Sequence, residues 1–132
     1  VAAMKAYGEN LGLAFQLADD ALDYGGASDT LGKDAGDDFR DGKSTLPLLL
    51  AVQRTRGRED AFWSRTISKL DQTDDDFRRA RELVIGTGAL GATLDLAGEY
   101  ADAAKSALDR FEDDPWKAAL VDLADYAVSR ST

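Results

Sequence analysis

From residue 2 to about 24, the stretch "AAMKAYGENLGLAFQLADDALDY" places apolar side chains at intervals of three and four, which predicts one long helix. Gly25 and Gly26 stop it, as glycine commonly does at a helix C-terminus. The periodicity then lapses across "GGASDTLGKDAGDDFRDGK". About 19 residues without regular structure is long for a compact domain unless the connection is functional. Ser44 or Thr45 caps the next helix, with Pro47 in its first turn, where a missing N–H does no harm. "REDAFWSRTISKL" reads as a short helix. Thr73 heads "TDDD", a start pattern whose acids suit the positive helix end, and the helix runs to "GTG". Ala89 to about Phe111 makes a long helix, and Asp113, Asp114 and Pro115 open a last one. No segment alternates as a strand would, so the expected class is all-α, a helical bundle.

The first helix carries an anomaly. At about 100° per residue, Gly8, Gly12, Phe15, Gln16, Asp19 and Asp23 share one arc, with Asp20 and Glu9 at its edge. Leu11, Leu13, Leu17, Leu22 and Tyr24 occupy the rest, the pattern of a buried helix with one polar stripe. Asp19 and Asp23 are like charges at i, i+4 near the negative end of the helix dipole, an arrangement that costs a few tenths of a kcal/mol, roughly 0.2–0.5. From Ala6 to Gly32 no lysine or arginine offsets them. Gly8 and Gly12 each cost roughly 0.8–1 kcal/mol against alanine, which implies close approach by something else. A solvated face explains none of these three features, whereas a bound cation removes the electrostatic objection.

Composition narrows the cation. The chain has no histidine and no cysteine, so every available ligand is an oxygen and the ion is hard. D-D-x-x-D offers too few contiguous ligands for an EF-hand loop, and Mg²⁺, which keeps waters and shares its shell with phosphates, fits better. Lys33 and Lys43, each preceded by glycine, supply point charges suited to phosphate oxygens in the following loop. The helix that begins near Ser44 adds N–H donors to the same region. "AGDDFRDGKST" is not a P-loop, because its glycines stand six residues apart and no strand precedes it.

The net charge of −9 argues against nucleic acid and against non-specific attraction to anionic membranes. The longest apolar run, "LPLLLAV", is about a third of the roughly 20 residues a membrane span needs. The expected protein is soluble. Val1 enters already in helical register, which reads as a fragment beginning inside a longer protein. Trp63, Trp116, Phe111 and Tyr126 are expected in core or subunit packing, and Arg78, Arg79 and Arg81 on a solvated helix face.

"GLAFQLADDALDY" resembles the second aspartate-rich motif of the trans-type polyprenyl diphosphate synthases, and "GKDAGDDFRDGKSTLPLLLA" resembles the stretch that follows it. "GALGATLDLAGEYADAAKSALDRF" and "LADYAVSR" are similar to that family's C-terminal helices, so the resemblance covers essentially the whole chain. Among subgroups it most resembles the bacterial long-chain enzymes that make octaprenyl or decaprenyl diphosphate for the ubiquinone side chain.

The resemblance implies the C-terminal half of the isoprenoid synthase fold, over residues 1–132, in a protein that is cytoplasmic and usually a homodimer. It also implies Mg²⁺ bound by Asp19, Asp20 and Asp23, with Asp19 the expected direct ligand. Phe15 and Gln16 would face the substrate, and Lys33 and Lys43 would meet diphosphate and help shut the site. The implied reaction joins isopentenyl diphosphate to an allylic diphosphate, with membrane contact only peripheral, through the lipid product. The first aspartate-rich motif and the isopentenyl diphosphate pocket would lie ahead of Val1, so the isolated chain is expected to be inactive and to expose apolar faces. Two rivals share parts of this pattern. A class I terpene cyclase would carry a second motif richer in Asn, Ser and Glu, and a non-catalytic subunit would keep the fold without the chemistry.

Overall fold

The computed structural model describes residues 1–25 and 35–129. Among these the chain is helical, with no strand. The elements are α1 (Ala2–Gly25), α2 (Asp37–Arg40), α3 (Leu46–Arg54), α4 (Asp60–Trp63), α5 (Asp76–Gly86), α6 (Ala89–Ser106) and α7 (Pro115–Ser129). They fall into two compact units, one of Asp20–Thr93 and one of Val1–Asp19 with Leu94–Thr132.

In the Asp20–Thr93 unit the core is Tyr24, Phe39, Leu48, Ala51, Trp63, Ala80, Val84 and Ala89. The Trp63 indole N–H donates to Thr55 Oγ1 at 2.9 Å, and the Thr55 hydroxyl donates onward to the Ala51 carbonyl at 2.8 Å. A buried indole thus keeps its polar atom satisfied while most of its surface leaves water. The Phe77 ring lies 5.9 Å, centroid to centroid, from both Tyr24 and Phe39.

Three expectations need correction here. The loop after α1 is not wholly irregular, since it contains α2, a single helical turn. The segment from Arg58 to Leu70 is not one α-helix: after Trp63 it widens into a π-helical turn, Ser64–Ser68, and ends with Leu70 in the left-handed region at φ 52°. The Asp71 N–H closes this end on the Arg65 carbonyl at 2.9 Å. Helix α5 starts at Asp76, three residues later than Thr73, and the Asp76 carboxylate reaches back to accept the Thr73 N–H at 2.7 Å. The same carboxylate takes a two-pronged grip from Arg65 at 2.8 and 2.9 Å, which pulls its pKa down to about 2 with help from the Thr73 backbone.

The other unit packs Tyr7, Ala104, Leu108 and Ala124, with Leu11, Ala107, Leu120 and Val121 against them. The Tyr7 hydroxyl donates to the Leu120 carbonyl at 2.7 Å, and Lys105 Nζ meets Asp125 at 2.7 Å, tying α6 to α7. Asp114 caps α7 through the Lys117 N–H at 2.8 Å, ahead of Pro115 in the first turn. Helix α6 stops at Ser106, short of Phe111.

The buried apolar residues of α1 are small ones and two tyrosines, Ala3, Tyr7, Ala14, Ala18, Ala21 and Tyr24, and Asp20 and Asp23 are buried with them. The helix is therefore not buried all round, and Leu13 is 46% exposed. Of the four aromatics expected to pack, Trp63 is in a core, while Phe111, Trp116 and Tyr126 are exposed. Other large apolar side chains at the surface include Leu49, Leu70 and Ile85.

Candidate functional site

The last turns of α1 present Phe15, Gln16, Asp19, Asp20 and Asp23. Phe15 and Asp19 are half-buried, Gln16 is exposed, and Asp20 and Asp23 are buried. A helix C-terminus leaves carbonyls without intrahelical donors. Two are answered from outside: the Arg81 Nε–H donates to the Tyr24 carbonyl at 2.7 Å, and the Gly36 N–H donates to the Asp23 carbonyl at 3.1 Å. Arg81 is thus more than part of a solvated face, because it supplies the positive group that the last turn of α1 lacks in its own sequence.

Asp23 has no exposed surface, and its carboxylate is enclosed by backbone donors. Oδ1 accepts from the Gly36 N–H at 3.2 Å and the Asp38 N–H at 3.1 Å, and Oδ2 from the Phe39 N–H at 3.4 Å. These amides form the start of α2, whose own N-cap residue, Gly36, has no side chain with which to cap. Asp23 therefore serves as the cap from 13 residues upstream. Gly36 sits at φ 93°, where a Cβ would stand 2.9 Å from the Phe77 ring. The Asp38 carbonyl in turn accepts the Lys43 N–H at 2.9 Å, and the Lys43 carbonyl accepts the Thr45 N–H at 3.0 Å. The backbone of Lys43 is thus fixed two links from Asp23, with the lysine itself exposed. Lys33 lies outside the described residues.

A second anchor holds the other end of α2. Gln72 Nε2 donates to the Phe39 carbonyl at 3.0 Å and to the Thr66 carbonyl at 2.8 Å, joining the short helix to the π-helical turn. Nothing in the local sequence marks the reach of Gln72 to Phe39 or of Arg81 to Tyr24, since each spans more than 30 positions. Below Asp23, burial and the Asp23 and Asp38 carboxylates push the Tyr24 phenol far above its usual range. The nearby Thr45 hydroxyl offsets a little of this without reaching hydrogen-bonding geometry, and neither buried hydroxyl has a hydrogen-bond partner among the described residues.

Among the described residues, no three acidic side chains converge closely enough to hold a metal ion by themselves. The donors at the end of α1 are carboxylate oxygens only, which suits a hard cation that completes its shell with water and phosphate oxygens. The spacing D-D-x-x-D recurs at Asp37, Asp38 and Asp41, yet there Asp37 pairs with Arg40 at 3.4 Å and Arg40 lies over the Phe77 ring. The same spacing thus makes a surface ion pair in one place and, in the other, an acidic helix end whose last carboxylate caps the next helical turn. Around Gly8 and Gly12 the space is open, with no atom within 4 Å of an added Cβ, so no close neighbour accounts for these glycines among the described residues.

The Polyprenyl synthetase family profile matches residues 1–84. The octaprenyl diphosphate synthase of Escherichia coli (strain K12) is 41% identical over 96% of this chain and 39% of its own length. Among solved structures, a polyprenyl synthase from Caulobacter crescentus CB15, complexed with calcium and isoprenyl diphosphate, is 66% identical, with a TM-score of 0.94 over 98% of this chain and 40% of that one. A decaprenyl diphosphate synthase from Rhodobacter capsulatus is 46% identical, with a TM-score of 0.89 over 98% of this chain and 40% of that one. The chain spans about two fifths of the length of each.

Proposed function

Because the chain belongs to the polyprenyl synthetase family, we propose that it is the C-terminal portion of one isoprenoid-synthase domain and that the protein elongates prenyl chains. The allylic carbon–oxygen bond breaks and its electron pair leaves with diphosphate. The double bond of isopentenyl diphosphate attacks the allylic carbon, and the proton then lost passes to the released diphosphate. No histidine is required, and this chain has none.

Asp19, Asp20 and Asp23 form the acidic motif, with Asp19 the direct ligand of Mg²⁺. When bound, that ion neutralises the negative charge that builds on the leaving diphosphate. Lys33 and Lys43 meet the diphosphate oxygens, and their positioned charge stabilises the departing group. Phe15 and Gln16, one and two turns before the acids on the same helix, face the substrate. The observation that carries this reading is the backbone link from the acidic end of α1 through Asp38 to Lys43, which couples the metal motif to a phosphate-seeking lysine. The same reading makes the intact protein a cytoplasmic homodimer, with contact to membrane only through its lipid product. No described helix is long and apolar enough to cross a membrane.

The test is transfer of isopentenyl units by the intact protein with an allylic diphosphate and Mg²⁺. Asp19→Asn should lower kcat by about a hundredfold or more, and the 132-residue chain alone should transfer nothing. Turnover by Asp19→Asn equal to wild type would refute the assignment.

A further inference from the structure

We infer that Asp23 and Gln72 are positioning residues, which act on the reaction by bracing α2 from its two ends and so fixing the place of Lys43. The inference rests on the prenyl-transfer reading for its chemistry but on separate geometry for its argument.

A carboxylate that coordinates a metal must turn its oxygens toward the ion. The Asp23 oxygens are turned toward three amides at the start of α2, inside the protein, with no surface exposed. Asp19, four residues earlier, is half-buried and differs in kind. The two carboxylates of one motif therefore divide the labour: in the prenyl-transfer reading Asp19 serves the metal, while Asp23 organises the backbone of α2. Gln72 completes the brace. Its side-chain amide bridges the Phe39 carbonyl, at the C-terminal side of α2, and the Thr66 carbonyl in the π-helical turn. The Phe39 carbonyl also accepts the Gly42 N–H at 3.0 Å, so Gln72 holds the residue next to Lys43 through a shared acceptor. Leu70 packs under the same loop, and a Cβ on Gly42 would stand 2.7 Å from its Cδ2. Lys43 is thereby tied on one side through Asp38 to Asp23 and on the other through Gly42 to Gln72.

The experiment uses the intact protein and three readouts: amide hydrogen exchange over residues 36–43, binding of Mn²⁺ in the presence of inorganic diphosphate, and kcat and KM for the allylic diphosphate. Asp23→Asn keeps one acceptor oxygen but turns an NH₂ toward the Phe39 N–H. It should speed exchange at Gly36, Asp38 and Phe39, lower kcat about tenfold or more, and leave Mn²⁺ affinity within about threefold. Asp19→Asn should do the reverse, weakening Mn²⁺ and leaving exchange unchanged. Gln72→Ala, a milder change at a half-buried site, decides the matter if Asp23→Asn does not fold. It should lower kcat about tenfold with little change in KM, and that loss should vanish in a Lys43→Gln background, since the brace works through the lysine.

Asp23→Asn weakening Mn²⁺ as much as Asp19→Asn, with residues 36–39 still protected, would overturn the inference. So would a Gln72→Ala loss that simply adds to that of Lys43→Gln. Failure of the wild-type protein to transfer isopentenyl units would sink the chemical reading alone, because the exchange readout still tests the brace.

Discussion

The two units solve the same problem with opposite means. The Asp20–Thr93 unit is short-helixed and aromatic, and polar braces reach far along the chain: Asp23 to α2, Gln72 to Phe39, Arg65 to Asp76, Arg81 to Tyr24. The other unit holds long helices together with alanines and few long-range polar contacts, Tyr7 to Leu120 and Lys105 to Asp125 among them. It leaves Trp116 80% exposed, whereas Trp63 of the braced unit is 4% exposed. The first unit fixes its short elements with directional bonds to named atoms, and the second relies on small residues and helix length.

The comparison predicts a graded series of effects. Trp63→Ala removes a buried ring and takes a donor away from the Thr55 hydroxyl, so urea unfolding should show a loss of about 3–5 kcal/mol. A loss below about 1 kcal/mol would mean that the aromatic core is not what holds that unit. The Arg65–Asp76 grip comes next. The Asp76 pKa is lowered in the folded state to about 2 from an ordinary 3.8, so the folded protein binds this proton less readily than the unfolded chain. The stability it contributes is complete above about pH 4–5 and is lost as the pH falls toward 2. Allowing for the partly exposed guanidinium, the difference between wild type and Asp76→Asn should be roughly 1–2 kcal/mol at neutral pH and shrink across that window.

The tyrosines sharpen the contrast further. Tyr7→Phe deletes a hydrogen bond to Leu120 and should cost about 1 kcal/mol. Tyr24→Phe deletes a buried hydroxyl that has no hydrogen-bond partner among the described residues, so it should be neutral or stabilising in the same melt. Equal costs at the two positions would break the distinction between bonded and unbonded hydroxyls. The smallest effect belongs to Trp116→Ala, which should change stability by no more than about 0.5 kcal/mol despite the size of the side chain. A larger loss would show that this exposed ring is packed in solution.

The long helices were legible because their information is local. Apolar spacing and terminal glycines place α1 over Ala2–Gly25, Thr45 and Pro47 mark the start of α3, and Asp114 with Pro115 marks that of α7. The acidic motif stood out for the same reason, as a charge pattern that helix energetics disfavours. What escaped notice is nonlocal. Helix α2 has four residues and its cap comes from Asp23, so no window centred on it contains its cause. The π-helical turn leaves no mark in composition, and the capping by Asp23 depends on which amides surround it. The repeated D-D-x-x-D at Asp37 shows the limit of reading spacing alone.

The hydrogen bond from the Gly36 N–H to the Asp23 carbonyl closes the chain on itself at the end of α1. The same amide also donates to the Asp23 carboxylate, so one N–H answers both the end of α1 and the start of α2. Two helix ends thus hang on a single backbone donor, and proline at position 36, which has none, would release both at once.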